Sequence, residues 1–436
     1  MTLELWGGIE CSVVRVGDVW RDQVNETGHH DRPSDIGRVL DLGVRTLRYP
    51  VLWERATRAG GCGWPWHDAR MEVLRSAGIR VIAGLLHHGS GPSETHLLDP
   101  LFPERLAAYA EEAATRFPFV TGWTPVNEPL TTARFSCLYG HWYPHLRDES
   151  AFLRAVANQC RAILLAMRAV RVKTPRAQLV QTEDLAKVFS TPRLAYQAAY
   201  ENERRWLSLD LLCGHVDATH PWRRRFVAAG VPERHLDELA SGEAKPDIVG
   251  INYYVTSDRF LDHRTSLYPS NLRGGNGYES YADTEAVRVP LPNAEIGFAA
   301  RLREAWERYH TAIAITEAHL GCEDPQEQVR WLLEAWQAAL LLRTEGVDLR
   351  AVTVWALMGS VDWDSLLCEC RGRYEAGAFD TRDSPPSPTP LAAAVAGLAK
   401  EGKHTCSFLG APGWWRREHR FHPNLCLPKR VRPKHG

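Results

Sequence analysis

The chain has 436 residues, of which 44% are hydrophobic and 24% charged, and its formal net charge is -1 at pH 7. This composition predicts a folded protein with a large core and excludes intrinsic disorder, which needs fewer apolar residues and a larger net charge. The near-neutral charge also predicts no long-range field that would attract nucleic acid or an anionic membrane surface. No run of about 20 apolar residues is present that could span a bilayer.

The cysteines and the N-terminal residues predict a cytoplasmic protein. The ten cysteines include no C-x-x-C pair, and Cys368 and Cys370 lie too close together for a structural zinc site. Met1–Ile9 lacks the basic stretch and apolar run of a secretory signal. We therefore expect free thiols in a cytoplasmic protein that needs no metal or organic cofactor. The basic run from Lys429 to Lys434 is interpreted as a short solvated tail.

Short apolar runs rich in β-branched residues alternate with longer stretches that have apolar residues at helical spacing, such as Pro103–Thr115 and Glu149–Val172. The predicted strands are Leu3–Ile9, Val44–Tyr49, Ile79–Leu85, Val120–Val126, Gln178–Thr182, Ile248–Tyr253, Ala312–Thr316 and Val352–Leu357. Strands separated by helices pair in parallel, so we predict an α/β fold, a (β/α)8 TIM barrel over residues 1–400. An open doubly wound sheet is the alternative, but the chain has no G-x-G-x-x-G turn.

Two regions fall outside the alternating pattern. Asp258–Pro292 is rich in Gly, Ser, Asn, Asp and Tyr, and it predicts an extended loop on the active face after the sixth strand. A final helix is predicted at Pro390–Lys400, after which the periodicity ends. Residues 401–436 are predicted to form a C-terminal extension without a recognisable motif. Its Trp414-Trp415 pair indicates that it lies against the body or reaches a partner.

Two glutamates each follow a predicted strand. Glu128 stands between Asn127 and Pro129, and Glu317 follows Thr316. The carboxyl ends of barrel strands face one shared cavity, so these carboxylates are predicted to meet there. Hydrolysis of a glycosidic bond needs such a pair, one group to protonate the leaving oxygen and one to attack the anomeric carbon or activate water. A surface ion pair or a helix cap is the alternative role for each glutamate.

Four sequence blocks occur in one order over most of the chain. They are Asn127-Glu128-Pro129 after the fourth strand, Gly250–Tyr254 (GINYY) at the sixth, Ile315-Thr316-Glu317 after the seventh, and Trp355 followed by Asp362-Trp363 after the eighth. With these blocks the sequence resembles glycoside hydrolase family 1, the β-glucosidase-type barrels. The resemblance implies hydrolysis of a β-linked glycoside with retention, by double displacement and without a cofactor.

The resemblance also implies roles for matching residues. Glu128 would be the general acid and later the base, and Glu317 would form the covalent glycosyl-enzyme. Asn127 would bind the sugar 2-hydroxyl. Tyr254 would donate a hydrogen bond to Glu317, and Arg48 would lie beside the same carboxylate, where a cation lowers its pKa.

The sugar-binding residues implied by the resemblance include two departures. His87 matches a sugar-binding histidine, whereas His88 stands where the family usually has Trp. Trp355 would form a stacking floor, with core packing as the alternative, and Trp363 would also contact the sugar. Asp362 replaces the glutamate that grips the outer hydroxyls and is shorter by one methylene.

The first strand departs further, since the family's glycone-binding Gln is absent from Trp6–Val14. Glu10 is the candidate for the same cavity. After the nucleophile, Ala318-His319 replaces Asn-Gly and brings an imidazole near Glu317. These changes leave the identity of the sugar open.

The predicted partner is a small molecule, a glycoside or an oligosaccharide. Two other functions stay open: a transglycosidase or a hydrolase of an unusual sugar on the same scaffold, and a catalytically inactive carbohydrate-binding protein. The presence of both Glu128 and Glu317 argues against the last, because a pure binder has no need for a like-charged pair.

Overall fold

The computed structural model describes residues 2–57 and 60–422. In chain order, the strands of the described residues are β1 (Glu4–Gly8), β2 (Val13–Val16), β3 (Val19–Asp22), β4 (Thr46–Pro50), β5 (Arg80–Gly84), β6 (Gly122–Thr124), β7 (Gln178–Asp184), β8 (Val188–Ser190), β9 (Ile248–Asn252), β10 (Arg259–Asp262), β11 (Arg273–Gly275), β12 (Ser280–Glu285), β13 (Ile313–Ala318), β14 (Leu349–Val354), β15 (Ser360–Val361), β16 (Tyr374–Glu375), β17 (Phe379–Asp380) and β18 (Ser387–Pro388).

The α-helices of the same residues are α1 (Gln23–Glu26), α2 (Asp35–Asp41), α3 (Trp53–Thr57), α4 (Gly63–Ser76), α5 (Phe102–Arg116), α6 (Pro129–Ala133), α7 (Glu149–Lys173), α8 (Ala195–Arg204), α9 (Leu207–Leu212), α10 (Arg223–Ala228), α11 (Glu233–Ala240), α12 (Phe298–Tyr309), α13 (Pro325–Thr344) and α14 (Pro390–Glu401). Three of them, α5, α7 and α14, match predicted helices within two residues at each end. None of the described helices is long and apolar enough to cross a membrane.

A closed barrel is formed by β1, β4, β5, β6, β7, β9, β13 and β14, in that order, with every neighbouring pair parallel. Each of them overlaps one predicted strand, so the (β/α)8 barrel is confirmed. The eighth strand begins three residues earlier than predicted and ends at Val354, which places Trp355 beyond it. Side chains at the carboxyl ends of these strands therefore face one mouth.

The barrel interior is filled rather than open. Nonpolar side chains from six strands pack into a cluster inside it. The cluster contains Trp6, Ile82, Val180, Ile248, Ala314 and Ala351. Outside the barrel the helices cover the strands in one continuous core. Strands covered on both sides explain the unbroken Val- and Ile-rich runs of the sequence.

The region after the sixth strand is not the extended loop that its composition predicted. It contains β10, β11 and β12, and β10 pairs with β12 and with β8. The turn between β11 and β12 contains Asn276 followed by Gly277, and Gly277 has a φ of +87°. Asn-Gly between two short strands is typical of such a turn, so the composition that indicated a loop marks a hairpin.

The described part of the C-terminal extension packs on the barrel. Trp415 is 1% exposed, and its ring centre lies 4.8 Å from that of Trp331 on α13. Its Nε1 donates to Glu334 at 2.6 Å. Residues up to 422 thus lie against the body, whereas the predicted basic tail from Lys429 to Lys434 lies outside the described residues.

Candidate active site

Glu128 lies four residues after the end of β6, in a strained turn. It has a φ of +48°, a left-handed conformation that costs a non-glycine residue about 1–2 kcal/mol. Its carbonyl accepts from Thr132 N at 2.9 Å, and its own N–H donates to Thr182 O at 3.2 Å. The side chain is 4% exposed, and Oε1 accepts from Asn252 Nδ2 at 2.6 Å. The turn therefore points a buried carboxyl into the barrel mouth.

Glu317 lies on β13 and is 2% exposed. Its Oε1 accepts from Arg48 Nη1 at 3.0 Å, and its Oε2 accepts from the Tyr254 hydroxyl at 2.5 Å. Both contacts are those that the family resemblance implied for these residues. Each donor favours the ionised carboxylate and fixes its rotamer.

The two glutamates differ in how firmly they hold a proton. Burial raises the pKa of Glu317 to about 7, although Arg48 and Tyr254 each lower it. The expected effect of the cation is present, but burial outweighs it. For Glu128, burial and then the charge of Glu317 raise the pKa well above its ordinary value. Arg48 and Tyr254 thus favour the ionised form of Glu317, whereas the charge of Glu317 favours the protonated form of Glu128, the division that an acid and a nucleophile need.

Asn127 is held with its amide nitrogen toward the cavity. Its Oδ1 accepts from Arg48 Nη2 at 2.8 Å and from Thr182 Oγ1 at 2.7 Å. Its Nδ2 lies 3.2 Å from Nε2 of His87. That nitrogen of His87 also lies 4.0 Å from Oε1 of Glu317, and burial lowers the pKa of His87, so the ring is neutral. An amide donor and a neutral imidazole thus stand beside Glu317.

Trp355 does not present an open face to this cavity. The ring is 2% exposed, and the His87 ring stacks on it with centres 5.2 Å apart and planes at 9°. The guanidinium carbon of Arg48 lies 4.6 Å from the Trp355 ring centre. The structure therefore favours the packing alternative over the predicted stacking floor, because the side chains of His87 and Arg48 cover the surface of the ring.

Glu10 lies next to the cavity at the barrel mouth, in contact with Trp355. Its Oε2 accepts from Trp355 Nε1 at 2.8 Å, and its Oε1 accepts from Ser12 N at 2.9 Å and Ser12 Oγ at 2.6 Å. Its charge is among the causes that raise the pKa of Glu317. A small cavity beside it is lined by Cys11, Arg48, Tyr49, Ile82, Gly84, His87, Thr124, Asn127 and Trp355. A carboxylate thus stands at the wall where the family resemblance implies an amide.

Asp362 accepts hydrogen bonds from its own loop and from Arg21. Its Oδ2 accepts from Arg21 Nη2 at 2.9 Å and from the backbone amides of Arg371 and Gly372 at 2.9 and 3.0 Å. Its Oδ1 accepts from the amide of Arg373 at 2.7 Å. Both oxygens are committed to the loop, and the residue is 1% exposed. The carboxylate therefore anchors backbone, which argues against a grip on the outer sugar hydroxyls.

His88 and Trp363 form an aromatic wall with Trp142. The His88 ring centre lies 5.3 Å from that of Trp142 and 5.5 Å from that of Trp363. Burial lowers the pKa of His88 to about 3, so this ring is also neutral. Nε1 of Trp363 is buried and has no hydrogen-bond partner within residues 2–57 and 60–422. This indole is therefore a donor available to a ligand.

Three buried polar residues near the glutamates were not singled out from the sequence. Asn252 donates to Glu128, Thr316 donates to Asn252 Oδ1 at 2.7 Å, and Glu183 lies at the end of β7. Glu183 directly follows one predicted strand and Asn252 lies one residue before the end of another, so the argument that found Glu128 would have found them. His319, which the sequence placed near Glu317, is 7% exposed, and burial lowers its pKa to about 4.

Comparison with known sequences places this site in context. The family model described as glycosyl hydrolase family 1 matches residues 15–372. Beta-glucosidase A of Thermotoga maritima is 24% identical over 383 residues, covering 77% of this chain and 78% of the relative. Beta-glucosidase 47 of Arabidopsis thaliana is 23% identical over 425 residues, covering 88% and 78%. Aryl-phospho-beta-D-glucosidase BglC of Bacillus subtilis is 23% identical over 383 residues, covering 77% and 78%.

Solved structures agree on the fold. The beta-glucosidase from Thermotoga maritima in complex with deoxynojirimycin superposes with a TM-score of 0.72 at 19% sequence identity, covering 92% of this chain and 98% of the other. A second structure, described as the family 1 b-glucosidase from Thermotoga maritima, gives a TM-score of 0.71 at 19% identity over the same shares. At this identity the likeness establishes the barrel and its connections.

Proposed function

The chain belongs to glycosyl hydrolase family 1 and is an O-glycosyl hydrolase, and from that premise we propose that Glu317 is the nucleophile and Glu128 the acid/base of a retaining β-glycosidase. In the first step an oxygen of Glu317 attacks the anomeric carbon while the glycosidic C–O bond breaks. Glu128 gives its proton to the leaving oxygen, which departs as an alcohol.

The second step returns both residues to their starting states. The Glu128 carboxylate takes a proton from water, and the resulting hydroxide oxygen attacks the anomeric carbon. The ester bond to Glu317 then breaks and releases the sugar with its original configuration. One water molecule is consumed for each glycosidic bond cleaved.

One observation carries this assignment: each carboxyl has its own set of partners. Arg48 and Tyr254 bind Glu317 and favour its charged form. Glu128 has only the neutral donor Asn252 among the described side chains, and the negative charge of Glu317 favours its protonated form. Environments that separate two titrations in this way identify an acid and a nucleophile.

We propose a neutral glycone. Several relatives are named beta-glucosidases, and one is named for phospho-glucosides. In the described cavity the cation is Arg48, whose terminal nitrogens donate to Glu317, Asn127 and the Thr316 carbonyl. Because these acceptors already occupy the guanidinium of Arg48, an anionic sugar would find no free cation in the cavity. The negative charge of Glu10 would also repel it.

A mechanism-based label tests the proposal. We expect the protein, incubated with 2-deoxy-2-fluoro-β-glycosides of several sugars, to gain the mass of one glycosyl group on the peptide that contains Glu317. The Glu317→Ala variant is the matched control and should stay unlabelled. A protein that no sugar of the panel labels would support the inactive binding protein, and products larger than the donor would support the transglycosidase.

The site of action is proposed to be the cytoplasm. The nine cysteines among the described residues are all free, with no disulfide between them. Unpaired thiols in this number are typical of a reducing compartment. Tracking a fluorescent fusion of the full chain in its host would test this location.

A further inference from the structure

Glu183 is a fully buried carboxylate that the two catalytic steps do not use. It is 0% exposed and lies one residue before the end of β7. Its oxygens accept from Leu130 N at 2.9 Å, Thr131 N at 3.3 Å, Thr131 Oγ1 at 3.1 Å and Ser208 Oγ at 2.7 Å. All four donors are uncharged, so the carboxylate is held by geometry and not by a paired cation. Buried acids without such a partner are rare, which indicates a specific use.

The partners of Glu183 belong to the turn that carries Glu128. Leu130 and Thr131 follow Glu128 after a single residue, Pro129. Glu128 has its left-handed φ of +48° at this turn, and such a conformation persists only where its surroundings impose it. Glu183 binds two consecutive amides directly after the strained residue, so its carboxylate defines where the turn lies.

The charge of Glu183 also reaches the acid/base. It is one of the causes that raise the pKa of Glu128, after burial, Glu317 and Asp184. Burial raises the pKa of Glu183 itself to about 7, although the hydrogen bonds from Ser208, Leu130 and Thr131 and the charge of Arg134 each lower it. The other titratable or charged groups that act on this pair are Glu317, Asp184, Tyr254, Cys160 and Arg134.

We propose that Glu183 is a positioning residue for the acid/base: its carboxylate holds the turn from Glu128 to Thr131 so that the Glu128 carboxyl meets the leaving-group oxygen. This inference rests on the proposed function, since it needs Glu128 to be the proton donor. It adds a residue that touches no substrate and acts through two backbone amides.

Glu183→Gln is the sharpest test, because it keeps the size of the side chain. An amide has one oxygen, so one of the two backbone N–H groups loses its acceptor and faces an N–H donor instead. We expect kcat/KM to fall about tenfold for aryl glycosides with poor leaving groups, a part of the roughly 10²–10⁴-fold that general acid catalysis supplies. For dinitrophenyl glycosides, which need little protonation, the fall should stay below about twofold.

Two further variants separate positioning from general damage. Asp210→Asn alters another buried carboxylate, two residues after Ser208 on α9, which binds Arg308 and Tyr309 and does not contact the turn. It should leave the dependence of kcat/KM on the leaving group unchanged. Ser208→Ala removes one hydrogen-bond donor from Glu183 and should give a smaller loss of kcat/KM, again confined to poor leaving groups. It provides the test if Glu183→Gln does not fold.

The outcomes distinguish this inference from the proposed function. A wild-type enzyme that takes the fluoro-glycoside label, together with equal losses of Glu183→Gln on good and poor leaving groups, would overturn the positioning role alone. If Glu183→Gln does not fold and Ser208→Ala has no selective loss, the role is likewise overturned. A wild-type protein that neither labels nor hydrolyses any glycoside would remove the proposed function and this inference with it.

Discussion

Asn252, the last residue of β9, donates its side-chain amide to Glu128 at 2.6 Å and so fixes that carboxyl to the neighbouring wall of the barrel. Thr316, the residue before Glu317, donates to the carbonyl end of the same amide at 2.7 Å. The threonine hydroxyl thus determines which end of Asn252 faces Glu128. A donor there stabilises the carboxylate that forms when the proton is given away.

We predict that Asn252→Asp lowers kcat/KM and moves the basic limb of its pH profile upward. The variant replaces a donor that lowers the pKa of Glu128 by a negative charge that raises it, so Glu128 stays protonated to higher pH. The fall in kcat/KM should be up to about 10²-fold, because the new negative charge opposes the carboxylate that forms on Glu128 as it gives up its proton. The measurement is kcat/KM across pH with one aryl glycoside, and a basic limb that moved downward would contradict this role of Asn252.

Glu128→Ala should affect the two catalytic steps differently. We expect kcat/KM to fall by about 10²–10⁴-fold with poor leaving groups and little with dinitrophenyl glycosides, because only the former need the proton. Azide, a nucleophile that needs no base, should restore turnover and yield a β-glycosyl azide. Equal losses across leaving groups, or no azide product, would reassign the acid/base.

Glu10→Gln should move the acidic limb of the kcat/KM profile to lower pH. In the wild-type enzyme this limb should lie near pH 7, because burial raises the pKa of Glu317 to about 7 and the Glu10 charge contributes to that rise. Removing the charge lowers the pKa, so the nucleophile ionises earlier. Glu4→Gln, at the exposed start of the preceding strand β1, is the control and should leave the limb in place. A limb that did not move in Glu10→Gln would place Glu10 outside the electrostatics of the site.

Glu317→Gln should stabilise the fold at pH 8. A carboxyl whose pKa rises from 4.5 in the unfolded chain to about 7 in the folded one weakens folding as the pH passes through that window. The difference of about 2.5 units corresponds to roughly 3 kcal/mol at pH 8 and less than about 1 kcal/mol at pH 5. Urea unfolding of both proteins at the two pH values measures it. A variant less stable than wild type at pH 8 would show that Glu317 contributes to the fold.

The barrel and its two glutamates could be predicted because strand ends share one location. Val, Ile and Ala runs mark the strands, and once they close in parallel, Glu128 and Glu317 must face one mouth. The same rule applied to Glu183 and Asn252 would have brought them in as well. The position of a residue at a strand end does not predict which hydrogen-bond partner its side chain has.

Partners depend on loops that no local pattern specifies. Asp362 was expected to meet sugar hydroxyls, but three backbone amides and Arg21 surround it, and Arg21 is 341 positions away along the chain. Trp355 was predicted to form a stacking floor for the sugar. In the structure the ring of His87, which follows another strand, stacks on it. Each outcome follows from long-range packing of two segments, so single residues in the sequence could not decide it.

The partners of Asp362 lead to a prediction about the glycone. A site built to bind a hydroxyl rejects an analogue that lacks it by about 10⁴–10⁵-fold, because the polar groups of the site are left unpaired. Xylose is such an analogue, since it lacks the hydroxymethyl group of glucose. Since the oxygens of Asp362 already accept four hydrogen bonds, an aryl β-xyloside should lose less than about 10²-fold in kcat/KM relative to the matching glucoside.

Asp362→Asn provides the variant for this test. It should weaken the loop and lower the free energy of unfolding by about 2–4 kcal/mol, since it breaks a buried ion pair with Arg21. Activity on the xyloside and on the glucoside should fall together, so that their ratio stays constant. The control is Asp364→Asn, which alters the nearby, more exposed pair with Arg371 and should change neither stability nor ratio appreciably. A ratio that collapsed only in Asp362→Asn would mean that this carboxylate binds the hydroxymethyl group after all, and that its backbone contacts give way when the sugar enters.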